Sequence, residues 1–183
     1  MYFLLDVDKV KLNVTLDQGN NIFTRLIAGK IISKDDLNLP FEYVMEVDKD
    51  VEGHEQDPLM YSYFPAESVM HRDLVEAIIS CGADNIQSFP AKITNERNGG
   101  EYDTYKTVNI VGLVGCADLS NSDTINLADV FYFNKLVIDL KKVNGLKIFR
   151  LAESQSEIII SEQIAEKISQ LNLIGICLQP LEK

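Results

Sequence analysis

The sequence predicts a single α+β domain, rich in strands, with two or three helices. Three observations lead there. The 183 residues are 46% apolar and show no Pro/Gly/Ser linker and no break in composition, which fits one core. Runs of β-branched and aromatic residues, set off by turn signals, outnumber every other pattern. Two short helical stripes each run into a strand, which mixes helix and sheet in one unit.

From the N-terminus, "YFLLDVD" (2–8) and "VKLNVTLD" (10–17) are strand-like, and Gly19 to Asn21 break them. "NIFTRLIAGKIIS" (21–33) fits a short helix or a strand that turns at Gly29. "FEYVMEVD" (41–48), just after Pro40, reads as a strand. Leu74, Ala77, Ile78 and Cys81 recur at helical spacing. "NIQSFPAKITN" and "YKTVNIVGLVGC" are strands joined by "ERNGGE", with Asn98, Gly99 and Gly100 at the turn. "CADLSNSDTIN" (116–126) reads as a polar loop and "VFYFNKLVIDL" (130–140) as one strand. "LKIFRLAE" follows the turn "KVNG", then "EIIIS", a last helix and the closing strand "GICLQP".

One phrase occurs twice. "VMHRDLVEAIISCGADNIQSFP" (69–90) aligns without a gap on "IISEQIAEKISQLNLIGICLQP" (159–180). Leu74, Ile78 and Cys81 fall on Ile164, Ile168 and Leu171, the inward stripe of each helix. His71 and Ser161 take the N-cap place, with Asp73 and Glu162 as first-turn acids. Gly82 and Asn172 stand where each helix ends. At the same offset, "LNLPFEYVMEV" (37–47) falls on "LADVFYFNKLV" (127–137). Two readings stand: a pseudo-repeat of 37–90 on 127–180 within one domain of 1–183, or helix-then-strand units that obey the same local rules. The matched positions serve packing and capping and supply no nucleophile, base or ligand.

The formal charge of −11 repels phosphates and anionic lipid and attracts a basic protein, so neither nucleic acid nor membrane is an expected partner. "MYFLLDVDK" lacks the basic start and long apolar run of a signal peptide. Cys81, Cys116 and Cys177 are scattered among apolar neighbours and read as free thiols, which implies a reducing, cytoplasmic setting.

Catalytic patterns do not emerge. His54 and His71 belong to no triad motif, G-x-S-x-G is missing, and the glycines of "IVGLVG" precede no phosphate-cradling helix. No cofactor and no metal are expected. "DKDVEGHEQDPL" (48–59) starts like a calcium loop, but Leu59 stands where a bidentate Glu is required. Its acids serve better as a contact surface for a basic partner: Asp48, Asp50, Glu52 and Asp57, with Gln56 beside them. Asp118, with Ser120, either binds a partner from a strand-end loop or bonds local backbone to shape the turn. Arg150, inside an apolar strand, is expected to pair with an acid such as Glu153 or Asp118.

From about 68 to 181 the succession of elements resembles the bacterial immunity-protein family numbered eleventh in polymorphic-toxin systems. The likeness rests on Asn109, Cys116, Asp118 and Ser120. It continues through Ile148 to Leu151, Ser161, and Leu173, Gly175, Ile176 and Pro180. The resemblance implies a non-catalytic protein that binds and blocks a cognate toxin domain, with a basic nuclease as one candidate toxin. The competing readings are a small enzyme or ligand-binding domain with a cleft between two halves, and a dimeric scaffold with a broad apolar face.

Overall fold

The computed structural model of the chain describes residues 1–7, 12–16, 21–47, 63–64, 68–127, 130–171 and 173–182. Strands β1 (Tyr2–Val7) and β2 (Leu12–Leu16) precede helix α1 (Asn21–Ile27). Strands β3 (Phe41–Val47), β4 (Tyr63–Phe64) and β5 (Val69–His71) lead into α2 (Arg72–Ser80). Next come β6 (Ile86–Asn95), β7 (Glu101–Ile110), β8 (Leu113–Val114), β9 (Asp123–Leu127) and β10 (Val130–Lys135). A single turn α3 (Leu140–Val143), β11 (Ile148–Leu151), β12 (Ile158–Ser161), α4 (Glu162–Ser169) and β13 (Ile176–Pro180) complete the order.

The strands form a six-stranded sheet, β2-β3-β6-β7-β5-β4, a five-stranded sheet, β13-β1-β12-β11-β8, and the separate pair β10-β9. Each long helix links two strands of one sheet. β5 and β6 both pair antiparallel with β7. β12 and β13 both pair antiparallel with β1. Each unit is therefore a β-α-β crossover whose two parallel strands are separated by an antiparallel third. The strands placed at the same offset have different settings: β3 runs parallel to β6 inside a sheet, while β10 belongs to the small pair.

The two crossovers meet in one core. Leu74 and Ile78 of α2 and Ile164 and Ile168 of α4 pack with Val108 from one sheet and Ile160 from the other. The far face of the six-stranded sheet is covered by Leu26 of α1 and Ile32, which pack on Phe41, Phe89 and Tyr105. The far face of the five-stranded sheet packs Phe149, Leu151 and Ile159 against Leu136, Ile138 and Val143. Strand β12 is therefore buried on both faces, with Ile158, Ile159 and Ile160 all fully enclosed.

Polar side chains fix how the layers meet. Gln87 exchanges hydrogen bonds with the backbone of Ile32, and the Asn109 amide donates to the Lys30 carbonyl at 2.8 Å and to Gln87. Asn109, one carrier of the family resemblance, thus clamps the segment after α1 onto the sheet. Asn85 donates to Val111 and, at 3.1 Å, to Ile148 in the other sheet. Arg150, fully buried, donates to the Gln155 carbonyl at 2.8 Å and to the hydroxyl of Ser68, which stands just before β5 of the other sheet. Neither Glu153 nor Asp118, the two acids expected for it, is among these partners.

Several expectations need correction. Among the described residues there are four α-helices rather than two or three. The extra one is α3, hidden inside the stretch read as a strand to residue 140. Pairing of β10 slips between Phe133 and Lys135, and Asp139 then caps α3 by accepting from the Lys141 amide at 3.0 Å. The "polar loop" 116–126 contains β9. Residues 21–33 resolve into α1 and a turn at Gly29, whose φ is +60°. His71 does cap α2, its Nδ1 accepting from the Asp73 amide at 3.3 Å, and Gly82 (φ +82°) ends that helix. Ser161 occupies the cap position of α4 without making the cap bond.

A side chain at Gly29 would place Cβ 2.8 Å from the Gly112 backbone, whereas Gly99 (φ +70°) faces open space. In urea unfolding, Gly29→Ala is expected to cost clearly more than Gly99→Ala, with the latter near 1 kcal/mol. Truncating Ile164 to Ala is expected to cost about 2–5 kcal/mol, because it opens the core that both sheets share.

Candidate partner-binding surface

The acidic candidates Asp48, Asp50, Glu52 and Asp57, with Gln56, lie outside the described residues. Asp118 is described. It opens a turn that runs from the five-stranded sheet into β9. Its Oδ1 accepts from the Ser120 amide and hydroxyl, the latter at 2.6 Å, and from the Asn121 amide. Its Oδ2 accepts from the Asn121 side chain at 2.7 Å. Hydrogen bonds from Ser120, then Asn121, hold the carboxyl below the usual carboxylate range. Both oxygens of Asp118 are thus engaged within its own turn, as an Asx-type turn former.

That turn anchors the β9–β10 hairpin. The Asp118 amide donates to the Val137 carbonyl at 2.8 Å. The Ser122 hydroxyl accepts from the Val137 amide at 2.9 Å. Beyond this root the hairpin touches the body through the Phe131 amide, which donates to the Glu153 carbonyl at 3.3 Å. Its inner face carries Phe131 and Phe133, half-buried and stacked with centroids 6.3 Å apart. Phe133 packs on the far face of the five-stranded sheet.

The outer face is apolar and open. Ile125 pairs directly with Tyr132, and Leu127 with Val130. Ile125, Leu127 and Tyr132 are 52%, 59% and 56% exposed. Strand β9 thus inverts the usual rule: Thr124 and Asn126 share the inner side with the phenylalanines, while its aliphatic residues face out. Its outer edge pairs with no described strand. An aromatic with two aliphatics on one face, next to an open edge, is a surface suited to a protein partner. The sequence carried a signal for it, the period-two alternation of Thr124, Ile125, Asn126 and Leu127, which was obscured by the turn residues before it.

Other reactive groups have structural surroundings. The His71 ring caps α2 and stands edge-on to Tyr105. Burial, then the Glu153 carboxylate, pushes the Cys116 thiol up to about 11, so it stays protonated at neutral pH. Cys81, Cys116 and Cys177 are free, and Cys177 is only half-buried. Among the described residues no group of three or more His, Cys, Asp or Glu could hold a metal ion, and no helix is long and apolar enough to cross a membrane.

Fold and surface together describe an acidic α+β protein whose β9–β10 hairpin exposes an apolar face. The family model described as Immunity protein family (Imm11) matches residues 33–183, and the chain belongs to this immunity protein family. The match begins well before the region that carries the resemblance, so β3 and the acidic stretch 48–57 fall inside it. No curated protein matches the chain.

Because the folded-state pKa of Asp118 is depressed, its contribution to the turn is present above the usual carboxylate range. That contribution is lost as pH falls through the depressed value. Protection of the Ser120 and Asn121 amides, read as the hydrogen-exchange rate relative to that of an unprotected amide at the same pH, is expected to be present at neutral pH and to fall on acidification and in Asp118→Ala.

Proposed function

We propose that this protein binds and neutralises a cognate toxin domain by protein–protein contact, without chemistry of its own. Membership of the Imm11 immunity family supports the class. The observation that carries the mechanism is the exposed outer face of the hairpin, Ile125, Leu127 and Tyr132, held on a pre-formed scaffold. Docking against it would bury aliphatic and aromatic surface at little ordering cost.

Charge supplies the second part of the reading. With a net charge of −11, the protein attracts a basic toxin domain, such as a nuclease, over distances that short-range packing does not reach. The stretch with Asp48, Asp50, Glu52 and Asp57 is the proposed steering surface, and Asp118 is proposed to contribute at the hairpin root. The cell interior is the proposed place of action.

The test begins with a pull-down at low salt from the native cell. A stoichiometric toxin domain supports the proposal, and a bait that returns clean counts against it. With that toxin in hand, Tyr132→Ala is expected to weaken binding about 30-fold or more, chiefly through a faster off-rate. Reversing Asp48, Asp50 and Glu52 together is expected to slow association and flatten its salt dependence. Unchanged off-rates in the first variant and unchanged on-rates in the second would each remove the corresponding surface.

A further inference from the structure

A small cleft opens under the hairpin, between β10 and the far face of the five-stranded sheet. It measures about 170 Å³. That is roughly the volume of six waters, too small for a drug-sized ligand and sufficient for one long side chain. Leu4, Phe133, Leu136 and Leu181 give it apolar walls, and Glu157 and Gln179 line it as well.

The charges around this cleft are unbalanced. The Glu157 carboxylate makes no hydrogen bond and no ion pair with the described residues. Its acidic neighbour is Asp6, whose oxygens are taken by the Val7 amide at 2.7 Å and the Gln179 side chain at 3.1 Å. The cation at the rim, Lys135, is held by Glu182 at 2.7 Å. Burial, then Asp6, pushes the Glu157 carboxyl up from its ordinary value, the direction expected of a carboxylate short of a positive partner. A charge kept half-buried without a counter-ion costs stability unless something supplies one.

We propose that this cleft receives one basic side chain of the bound protein partner, its aliphatic stem lying between Phe133, Leu136 and Leu181 and its charged head meeting the Glu157 carboxylate. Lysine and arginine both have this form, an apolar stem with a cationic tip. The wall residue Phe133 belongs to the same hairpin whose outer face is exposed, so the cleft continues the contact surface inward. The identity of the occupant as part of a toxin rests on the function proposed above; the chemistry of the cleft does not.

The test needs no toxin. The protein, carrying carbon-13 in its glutamate carboxyls and leucine methyls, is titrated by NMR with butylguanidinium and with butylammonium chloride, against sodium chloride at equal ionic strength. Saturable shifts of the Leu136 and Leu181 methyls are expected with at least one organic cation. The Glu157 titration midpoint should fall in its presence relative to sodium chloride. Glu157→Gln should weaken the probe roughly tenfold. That variant should also melt higher than the parent at neutral pH. Its advantage should shrink on acidification, because a raised folded-state pKa destabilises only where the group is charged. Methyls that do not respond, or a Glu157→Gln variant that binds equally well, would overturn the proposal while leaving toxin binding elsewhere intact. Lys183→Ala is the remaining arm. A rise in the Glu157 midpoint there would assign the cleft to the chain's own C-terminal lysine and overturn the proposal as well. Cation binding in the cleft, with no toxin recovered by pull-down, would keep the site and break the immunity reading.

Discussion

The contact between α2 and α4 is the constraint from which the rest of the structure follows. With nine and eight residues, neither helix is long enough to hold its shape in water alone. Each turns an apolar stripe inward, and the stripes meet in one core. Because α2 belongs to a crossover of the six-stranded sheet and α4 to one of the five-stranded sheet, joining the helices joins the sheets. Each sheet then has its inner face committed to the shared core and needs separate cover outside. Helix α1 and the segment to Ile32 supply it on one side, and the chain from Leu136 to Val143 supplies it on the other.

Apolar packing alone would leave the two sheets free to slide, since burial has no direction. Direction comes from a few polar groups at the seam. Asn85 bonds the carbonyl of Val111, just past the end of β7, and that of Ile148 in β11, and Arg150 reaches from β11 to Ser68 at the entry to β5. A buried guanidinium is stable only in a geometry that satisfies it, so these contacts favour one docking of the sheets over its near neighbours. Gly29 and Gly112, whose backbones touch, set the approach of α1 where the chain passes from one sheet to the other.

Much of this scaffold was legible in the sequence. The stripes at Leu74 and Ile78 and at Ile164 and Ile168, the cap at His71 and the stop at Gly82 are local features, and local rules find them. Strand partners were not legible, because pairing β1 with both β12 and β13 depends on residues far apart in the chain. The stretch 130–140 misled for a physical reason: Leu136 and Ile138 are as apolar as a strand requires, yet they are buried as a connection after the pairing slips. The hairpin surface was hidden by its inversion. Ile125 and Leu127 obey strand alternation but face outward, and no single-sequence rule says which face of a strand meets the core. Glu157 was hidden as well, since a carboxylate at the edge of "EIIIS" reads as solvated until the fold covers it.

The proposed contact surface is separable from what keeps the protein folded, and this follows from its place in the structure. The hairpin joins the body through its turn root, one backbone bond at Phe131, the inward phenylalanines and the Lys135–Glu182 ion pair. Its outer side chains, Ile125, Leu127 and Tyr132, bury little in the folded chain, so changing them removes little of the core. Exposed apolar area invites self-association, and a strong like charge opposes it, because copies at −11 repel one another. The charge and the apolar face therefore act at different ranges. Charge acts out to roughly the 8 Å over which salt leaves it unscreened, farther than packing contacts reach. In the proposed complex the hairpin and the cleft beneath it would act only at contact, through shape and the half-buried Glu157 carboxylate.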